Sequence, residues 1–375
     1  MPGQLFLTGM MRSGTSLAQI LLTNHVQLFV APQPFYQLYL DVKQSFLKEQ
    51  GKQTILPLGD GMDPGEADNA LFRQWLHNRQ FDTAETAQLV ARSTTAKSGG
   101  AADLTGKLAV EPGNFFDIRE ALHHLLARHF GAETSSLIGS KDAFCEEFIP
   151  ALVDNGVRCI MIVRDPRAVI ASANYGRYLD AVGNRYPLLM LIRLWRKSAA
   201  YWLAYRNEPL VKAVRYEDLI QHPVDTLRTI AHWLDIPPFP EGLIHQPLRD
   251  HAGQIWKGNS SFGDKSRLDV SSKETWQNIL ADDVIRFIEA CTKPELTLLG
   301  YSMNSNPGRN AIADFREDIA GIRESYLSLY ALEPENRQTE LSRWDAVNSG
   351  RYESTGGERL FLFPEIYSEA NLCSG

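Results

Sequence analysis

The sequence predicts an α/β fold of three layers, a central parallel sheet flanked by helices, with a helical extension at the C-terminal end. Two observations carry this expectation. Short apolar runs alternate with longer segments of helical spacing, most clearly between residues 117 and 215, and such alternation implies a parallel sheet covered on both faces. Gly9, Lys141, Arg164 and Tyr216 each follow a strand candidate. In sheets of this kind ligands bind beyond the carboxyl ends of the strands, so the four residues are expected along one edge.

Each element has its own signal. Leu5-Phe6-Leu7-Thr8 is a short apolar run that flows into Gly9, a buried strand ending in a turn. Leu17, Ile20 and Leu21 have helical spacing within Thr15–Asn24, and a second helix is expected over Pro34–Gln50. Gly, Pro and Asp make 51–66 a loop, helical patterns return over 67–80 and 83–95, and Ser98-Gly-Gly-Ala-Ala breaks the chain again. The 51–115 stretch therefore reads as an insertion that either covers a substrate pocket or is a plain surface excursion. A helix over 117–130 leads to a strand candidate at Ser136–Gly139. A helix over 144–154 leads to Arg158-Cys-Ile-Met-Ile-Val163, the strongest strand signal in the chain. A helix over 166–174, a long helix near 186–206 and a strand over 210–215 complete the alternation. Beyond residue 301, helical stretches are expected over 310–330 and 336–347. A Gly-rich break at 356–357 then precedes the strand-like Leu360-Phe-Leu-Phe363.

Composition excludes several classes. With 44% hydrophobic and 22% charged residues in 375, the chain is neither disordered, collagen-like nor a disulfide scaffold. Its 38 Lys and Arg against 45 Asp and Glu give a net charge of −7. Binding to nucleic acid or to a membrane surface through a general basic patch is therefore not expected, and any anionic ligand must be held by local cations. The 4 cysteines are far apart and read as reduced, buried thiols, and neither they nor the 9 histidines show metal-ligand spacing. No apolar run reaches the ~18 residues of a spanning helix. The start lacks the basic region and apolar stretch of a signal peptide, so a cytoplasmic location is expected.

The chemistry concentrates first at Gly9-Met-Met-Arg-Ser-Gly-Thr-Ser16. Gly9 and Gly14 have the spacing of a phosphate loop between strand and helix, but Thr15 stands where the lysine of a nucleotide-triphosphate loop belongs. The cation lies inside the loop instead, at Arg12. Backbone N–H groups at the helix start still suit an anion. This pattern argues against an ATPase or kinase and for a different 5′ anion; the alternative is a tight turn with a surface arginine.

At these residues the chain resembles sulfotransferases that use 3′-phosphoadenosine 5′-phosphosulfate (PAPS). Arg12-Ser-Gly-Thr-Ser-Leu is similar to their 5′-phosphosulfate loop. Val163-Arg-Asp-Pro-Arg-Ala-Val-Ile-Ala-Ser172 resembles their 3′-phosphate element, and Val214-Arg-Tyr-Glu-Asp-Leu219 their YEDL segment. Lys257-Gly-Asn-Ser-Ser-Phe262, Trp276 and Leu299-Gly-Tyr301 match the usual end of the domain. The resemblance covers about residues 4–301 and implies a P-loop-like fold. It also implies a donor site built from Arg12, Ser13, Gly14, Thr15 and Ser16 at the 5′ end, with Arg164 and Ser172 on the 3′-phosphate and Tyr216 near the adenine. Asn259, Ser260, Ser261 and Phe262 resemble a loop closing over the nucleotide, with Lys265 or Arg267 adding charge. This last segment departs from the Arg-Lys-Gly motif of cytosolic members. Arg164-Asp165 also reads as a local ion pair with Asp165 capping the helix that Pro166 opens, and Arg167 as a solvated helix residue.

Lys141, in Gly139-Ser-Lys-Asp142, matches the family lysine that contacts the transferring group. A mobile point charge suits a group that moves during reaction. Two common bases are missing. Cytosolic members place a histidine where this chain has Ala143, and tyrosylprotein relatives place a glutamate where the nearest residue is Gln33. Glutamine does not accept a proton at neutral pH. Glu111, Asp142 and His25 remain as candidates, Glu111 slightly favoured; alternatively the acceptor is a nitrogen, or Gln33 only positions it. The resemblance thus implies a PAPS-dependent sulfotransferase that needs no metal. It would act on a hydroxyl or amine of a small molecule and release adenosine 3′,5′-bisphosphate (PAP). A protein-tyrosine acceptor and a non-catalytic PAPS-binding protein are the alternatives. Residues 1–301 are expected to form the catalytic domain, with 51–115 near the acceptor pocket. Residues 302–375 are expected to be a helical appendage packed on that domain or, more sharply, a lid or a homodimer contact.

Overall fold

A computed structural model of the chain describes residues 2–52, 66–95, 109–250, 253–258, 275–353 and 360–372. Its sheet is built from β1 (Gly3–Thr8), β2 (Leu28–Pro32), β3 (Leu137–Lys141), β4 (Arg158–Val163) and β5 (Val211–Arg215). The strands are parallel and lie in the order β2-β3-β1-β4-β5. The register aligns their carboxyl ends: Lys141 faces both Leu7 and Pro32, and Val163 faces Arg215. The residues that follow the strands therefore share one edge, as their sequence positions predict.

Strand residues alternate between the two faces, the period of two that a pleated strand imposes. Leu5, Leu7, Val30, Ile160 and Ile162 point to one face. There they meet α1 (Thr15–Thr23), α10 (Tyr216–Gln221) and α11 (Pro223–Leu234) through Leu21, Ile220 and Ile230. Phe6, Phe29, Ala31, Ile138 and Met161 point to the other. That face is covered by α2 (Tyr36–Glu49), α3 (Glu66–Asn78), α4 (Thr83–Thr95), α5 (Phe115–His129) and α6 (Ile149–Asp154). Each fully buried Leu, Ile or Phe contributes roughly 1.5–3 kcal/mol of transfer free energy, so the two faces fix the register of every strand.

Three expectations change. Leu28–Pro32 is a strand that carries no strand signal in the sequence. All five of its residues are apolar, so no alternation marks it. Pro32 is tolerated because β2 is an edge strand with no ladder partner on its outer side. The predicted helix over 144–154 is a 3-10 turn at Glu146–Phe148 followed by α6, because Phe144 takes a left-handed φ of 65°. Leu360–Phe363 forms no strand; its apolar residues serve as anchors. Phe361 packs on Tyr367 and Phe363 on Tyr201.

The 51–115 stretch lies outside the described residues at 53–65 and 96–108. Its helices α3 and α4 are core elements, with Phe72, Leu76, Phe81, Leu89 and Val90 buried against α2 and its neighbours. Next in the chain come α7 (Pro166–Asn174), α8 (Arg177–Val182), α9 (Leu188–Tyr205) and α12 (Asp282–Leu298). Beyond Tyr301 follow α13 (Asn310–Ala313), α14 (Glu324–Tyr330), α15 (Pro334–Asn348) and α16 (Pro364–Leu372). Helical structure in 310–330 is thus confined to two short pieces. Ile312, Phe315, Tyr330 and Leu341 from this region are buried in one cluster with α7, α9 and α12. Glu340, fully buried, takes Arg193 and Arg196 of α9. Burial alone would raise its carboxyl, but Arg196, Arg193 and Arg343 hold it at about 2.

Candidate active site

The loop after β1 has its shape dictated by two glycines. Gly9 has φ 151°, and a Cβ there would lie 2.3 Å from the Ile162 carbonyl oxygen on β4. Gly14 has φ 93°, and a Cβ there would lie 2.2 Å from the Tyr216 ring. Between them Arg12 takes a left-handed φ of 64°, a strained choice for a side-chain-bearing residue. The loop is tied down from outside: the Met10 amide donates to Ser198 Oγ of α9 at 3.2 Å. Ser13 Oγ donates back to the Met10 carbonyl at 2.5 Å. Gly14 caps α1 with no side-chain hydrogen bond, and the first turn holds no acidic residue. With Thr15 and Ser16 opening the helix, this is a helix start suited to an anion.

Arg12 projects from the loop to α7, where its Nε donates to Ser172 Oγ at 3.0 Å. Arg164, the residue after β4, donates from Nη1 to the Arg12 carbonyl at 3.1 Å and lies 4.3 Å over the Tyr216 ring. Thus Arg12, Arg164, Ser172, Gly14 and Tyr216 form one contiguous patch across the ends of β1, β4 and β5. Burial, with Arg164 adding to it, lowers the Arg12 guanidinium to about 10. Arg12 also lies 4.9 Å over Tyr178 of α8, which stacks on Tyr186, which in turn stacks on Tyr326 of α14. Asp165 caps α7, accepting from the Arg167 amide at 2.8 Å. Arg167 is not a solvated residue. It is buried in ion pairs with Asp165 and Glu289 and lies 4.2 Å over Trp276.

Lys141 ends β3, and its Nζ donates to Gln33 Oε1 at 2.8 Å. Burial first, and then the nearby Arg12 charge, lowers the Lys141 ammonium to about 8, while Asp142 and Cys145 oppose this. Gln33 has φ 55°, its amide turned back to the Ala31 carbonyl at 3.1 Å. The side chain that replaces a possible base is therefore an acceptor for the lysine. The loop after Lys141 is anchored on the loop after β1, the Phe144 amide donating to the Gly9 carbonyl at 3.2 Å. Below it, Lys197 of α9 bonds the Phe144 carbonyl, Glu146 and Glu147, and Glu147 also takes Lys43 of α2. This buried cluster of charges fixes the segment where Phe144 is left-handed. Arg12, Gln33 and Phe144 are three of the four non-glycine residues of positive φ among the described residues.

The base candidates separate. Glu111 is exposed in the stretch ahead of α5 and makes none of these contacts. His25 lies at the other end of α1, where its Nε2 is 3.0 Å from the Pro237 carbonyl and its ring meets Phe239. Asp142 is fully buried and bonded to Ser140. Ser260, Ser261, Phe262, Lys265 and Arg267, with Asn259, lie outside the described residues. Among the described residues no His, Cys, Asp and Glu group forms a metal site, and no helix is long and apolar enough to cross a membrane. Sequence reasoning missed Tyr178, Ser198 and Lys197, whose roles come from long-range packing of α8 and α9 with no local signal.

Comparison with known proteins shows the family of the chain. A model described as the sulfotransferase family matches residues 3–241. A putative protein-tyrosine sulfotransferase of Caenorhabditis elegans is 23% identical over 196 residues, covering 51% of this chain and 74% of that protein. Carbohydrate sulfotransferase 3 of Tetronarce californica is 25% identical over 181 residues, covering 42% of this chain and 39% of that protein. Among solved structures, the sulfotransferase domain from the curacin biosynthetic pathway is similar with a TM-score of 0.46. Its identity is 20%, and the match covers 81% of this chain and 99% of that one.

Proposed function

The chain belongs to the sulfotransferase family, and on that premise we propose that it transfers a sulfuryl group from PAPS to a hydroxyl or amine of a small molecule. The observation that carries this reading is the single patch of Arg12, Arg164, Ser172 and Tyr216 beside Lys141. PAPS brings anions at its 5′ and 3′ ends. The Gly9–Ser16 loop and the start of α1 suit the 5′-phosphosulfate, Arg164 and Ser172 the 3′-phosphate, and Tyr216 the base.

The acceptor oxygen or nitrogen attacks sulfur, the bond from sulfur to the nucleotide phosphate oxygen breaks, and the acceptor loses a proton. Such in-line transfer is catalysed mainly by positioning and charge. Arg12, with its planar fork, and Lys141, with its point charge, meet the charge that grows on the leaving phosphate. No metal enters this scheme. Glu111, exposed, suits proton removal only if acceptor binding covers it. The direct Lys141–Gln33 bond favours Gln33 as the residue that orients Lys141 and the acceptor.

In the same reading residues 1–301 carry the chemistry, the 51–115 stretch borders the acceptor pocket, and the tail closes over that side or pairs two copies. The protein works in the cytoplasm, on a free acceptor and without nucleic acid or membrane. The names of the relatives support protein tyrosine as the second acceptor class. Calorimetry with PAP, ATP and GTP tests the donor site: a lack of preference for PAP sinks the reading. Transfer of labelled sulfate from PAPS across small hydroxyls, amines and tyrosine peptides tests the acceptor. PAP binding without transfer to any of them leaves a binding protein.

A further inference from the structure

A buried chain of hydrogen bonds runs from α5 to the residue after Lys141. His123 Nδ1 lies 2.6 Å from the Arg119 carbonyl oxygen, His123 Nε2 lies 2.8 Å from Ser140 Oγ, and Ser140 Oγ lies 2.5 Å from Asp142 Oδ2. His123, Ser140 and Asp142 are all 0% exposed. The chain begins and ends on acceptors, a carbonyl and a carboxyl, so its proton content can be counted. Three contacts need three hydrogens. Ser140 brings one and a neutral imidazole one, so one further proton is present.

That proton makes either an imidazolium facing a carboxylate or a neutral imidazole facing a carboxylic acid. The surroundings decide between them. Asp142 Oδ1 is buried and has no hydrogen-bond partner among the described residues. Bare in the core, an ionised oxygen is far costlier than a neutral carbonyl oxygen. The Arg119 guanidinium sits one helical turn from His123 and opposes a second cation there. Burial pushes His123 well below the ordinary histidine range and raises Asp142 to about 6, against Ser140, Lys141 and Arg119, which pull it down. The other titratable groups facing Asp142 are Lys141, Tyr36, Tyr39 and Cys145.

We propose that the His123–Ser140 chain holds Asp142 as a neutral carboxylic acid, so that the charge of Lys141 is left uncancelled at the point of transfer. Asp142 is then a positioning residue. Its Oδ2–H donates to Ser140, and Ser140 donates to His123. Lys141 meanwhile rests on the uncharged Gln33 amide rather than on a carboxylate. The role given to Lys141 rests on the sulfotransferase reading; the proton on Asp142 does not.

The test compares the wild type with Asp142→Asn and Asp142→Ala. An infrared difference spectrum at pH 5, below the Asp142 value, wild type minus D142N, is expected to show the carbonyl stretch of a protonated carboxylic acid. Its absence overturns the proposal whatever the enzyme does. In turnover, D142A strips Ser140 of its donor and is expected to lower kcat/KM ~10-fold. The amide of D142N donates as the acid does, and is expected to restore most of that loss and to keep the alkaline limb of the pH profile. A D142N enzyme as damaged as D142A refutes the neutral-acid assignment. If either variant fails to fold, the carboxyl carbon shift of Asp142 in labelled wild type reads the same proton directly.

Discussion

Arg12 and Ser172, 160 residues apart, are joined by a hydrogen bond of 3.0 Å. The family resemblance gives them to opposite phosphates of one nucleotide, yet they touch. On the proposed reading the donor site is thus a single electropositive patch, with the Arg164 guanidinium stacked on Tyr216 at its flank.

Replacing Arg12 or Arg164 by alanine therefore removes half of a shared site. Hydrogen bonds to charged groups are worth about 1.5–3 kcal/mol each. Each variant is expected to bind PAP ~10–100-fold more weakly by calorimetry. Unchanged affinity in either variant removes that residue from the site.

Gly14→Ala places a methyl group within 2.2 Å of the Tyr216 ring position, at a φ of 93°. Overpacking and the unfavourable φ together are expected to cost about 1–3 kcal/mol of stability. Thermal unfolding reads this loss. In a Tyr216→Ala background the same Gly14→Ala change should cost less, because the clash goes and only the strain stays; an equal cost in both backgrounds would mean the ring is not the obstacle.

Burial lowers Lys141 to about 8 with Asp142 ionised, and a neutral Asp142 sets it lower still. If its charge meets the leaving phosphate, kcat/KM should fall as pH rises to about 8, with the acid side flat in this group. Lys141→Met should lower kcat ~10²–10³-fold, the loss expected for one electrostatic contact at the transition state. A pH profile unchanged by K141M would assign the alkaline limb to another group.

Glu340 carries a stability signature. Its carboxyl is at about 2 when folded against an ordinary 4.5, because Arg196, Arg193 and Arg343 outweigh burial. A depressed carboxylate stabilises fully above the unfolded value and loses that contribution as pH falls toward the folded one. Acid unfolding should show a loss of ~3 kcal/mol between about pH 4.5 and 2, absent in Glu340→Gln. At neutral pH the same variant leaves two arginines facing a neutral amide and should unfold more readily, by ~3–5 kcal/mol. A chain cut at residue 302 loses this carboxylate together with buried Ile312, Phe315, Tyr330 and Leu341, and is expected not to fold.

Much of the loop, cap and strand geometry at this edge of the sheet was legible in the sequence because local constraints write local patterns. Gly9 and Gly14 are forced by φ and close approach, Asp165-Pro166 by helix capping, and β4 by its apolar run. β2 was hidden because both of its faces are buried, which erases alternation. Leu360–Phe363 misled for the complementary reason: an apolar run records burial without saying what conformation is buried. Arg167 reads as a solvated cation because its carboxylate Glu289 is 122 residues away. The fate of Gln33 shows both limits. Its lack of basicity was plain, but its bond to Lys141 depends on β2 and β3 being neighbours.

The row of rings from Arg12 through Tyr178 and Tyr186 to Tyr326 has a bearing on how such a chain can diverge. It makes the tail and the loop after β1 co-inherited parts rather than modules. A tail grafted from a relative would have to supply a flat aromatic at the place of Tyr326, or the arginine at the far end of the row would lose its backing. Substitutions in α14 are therefore a route by which drift far from the Arg12 loop retunes it.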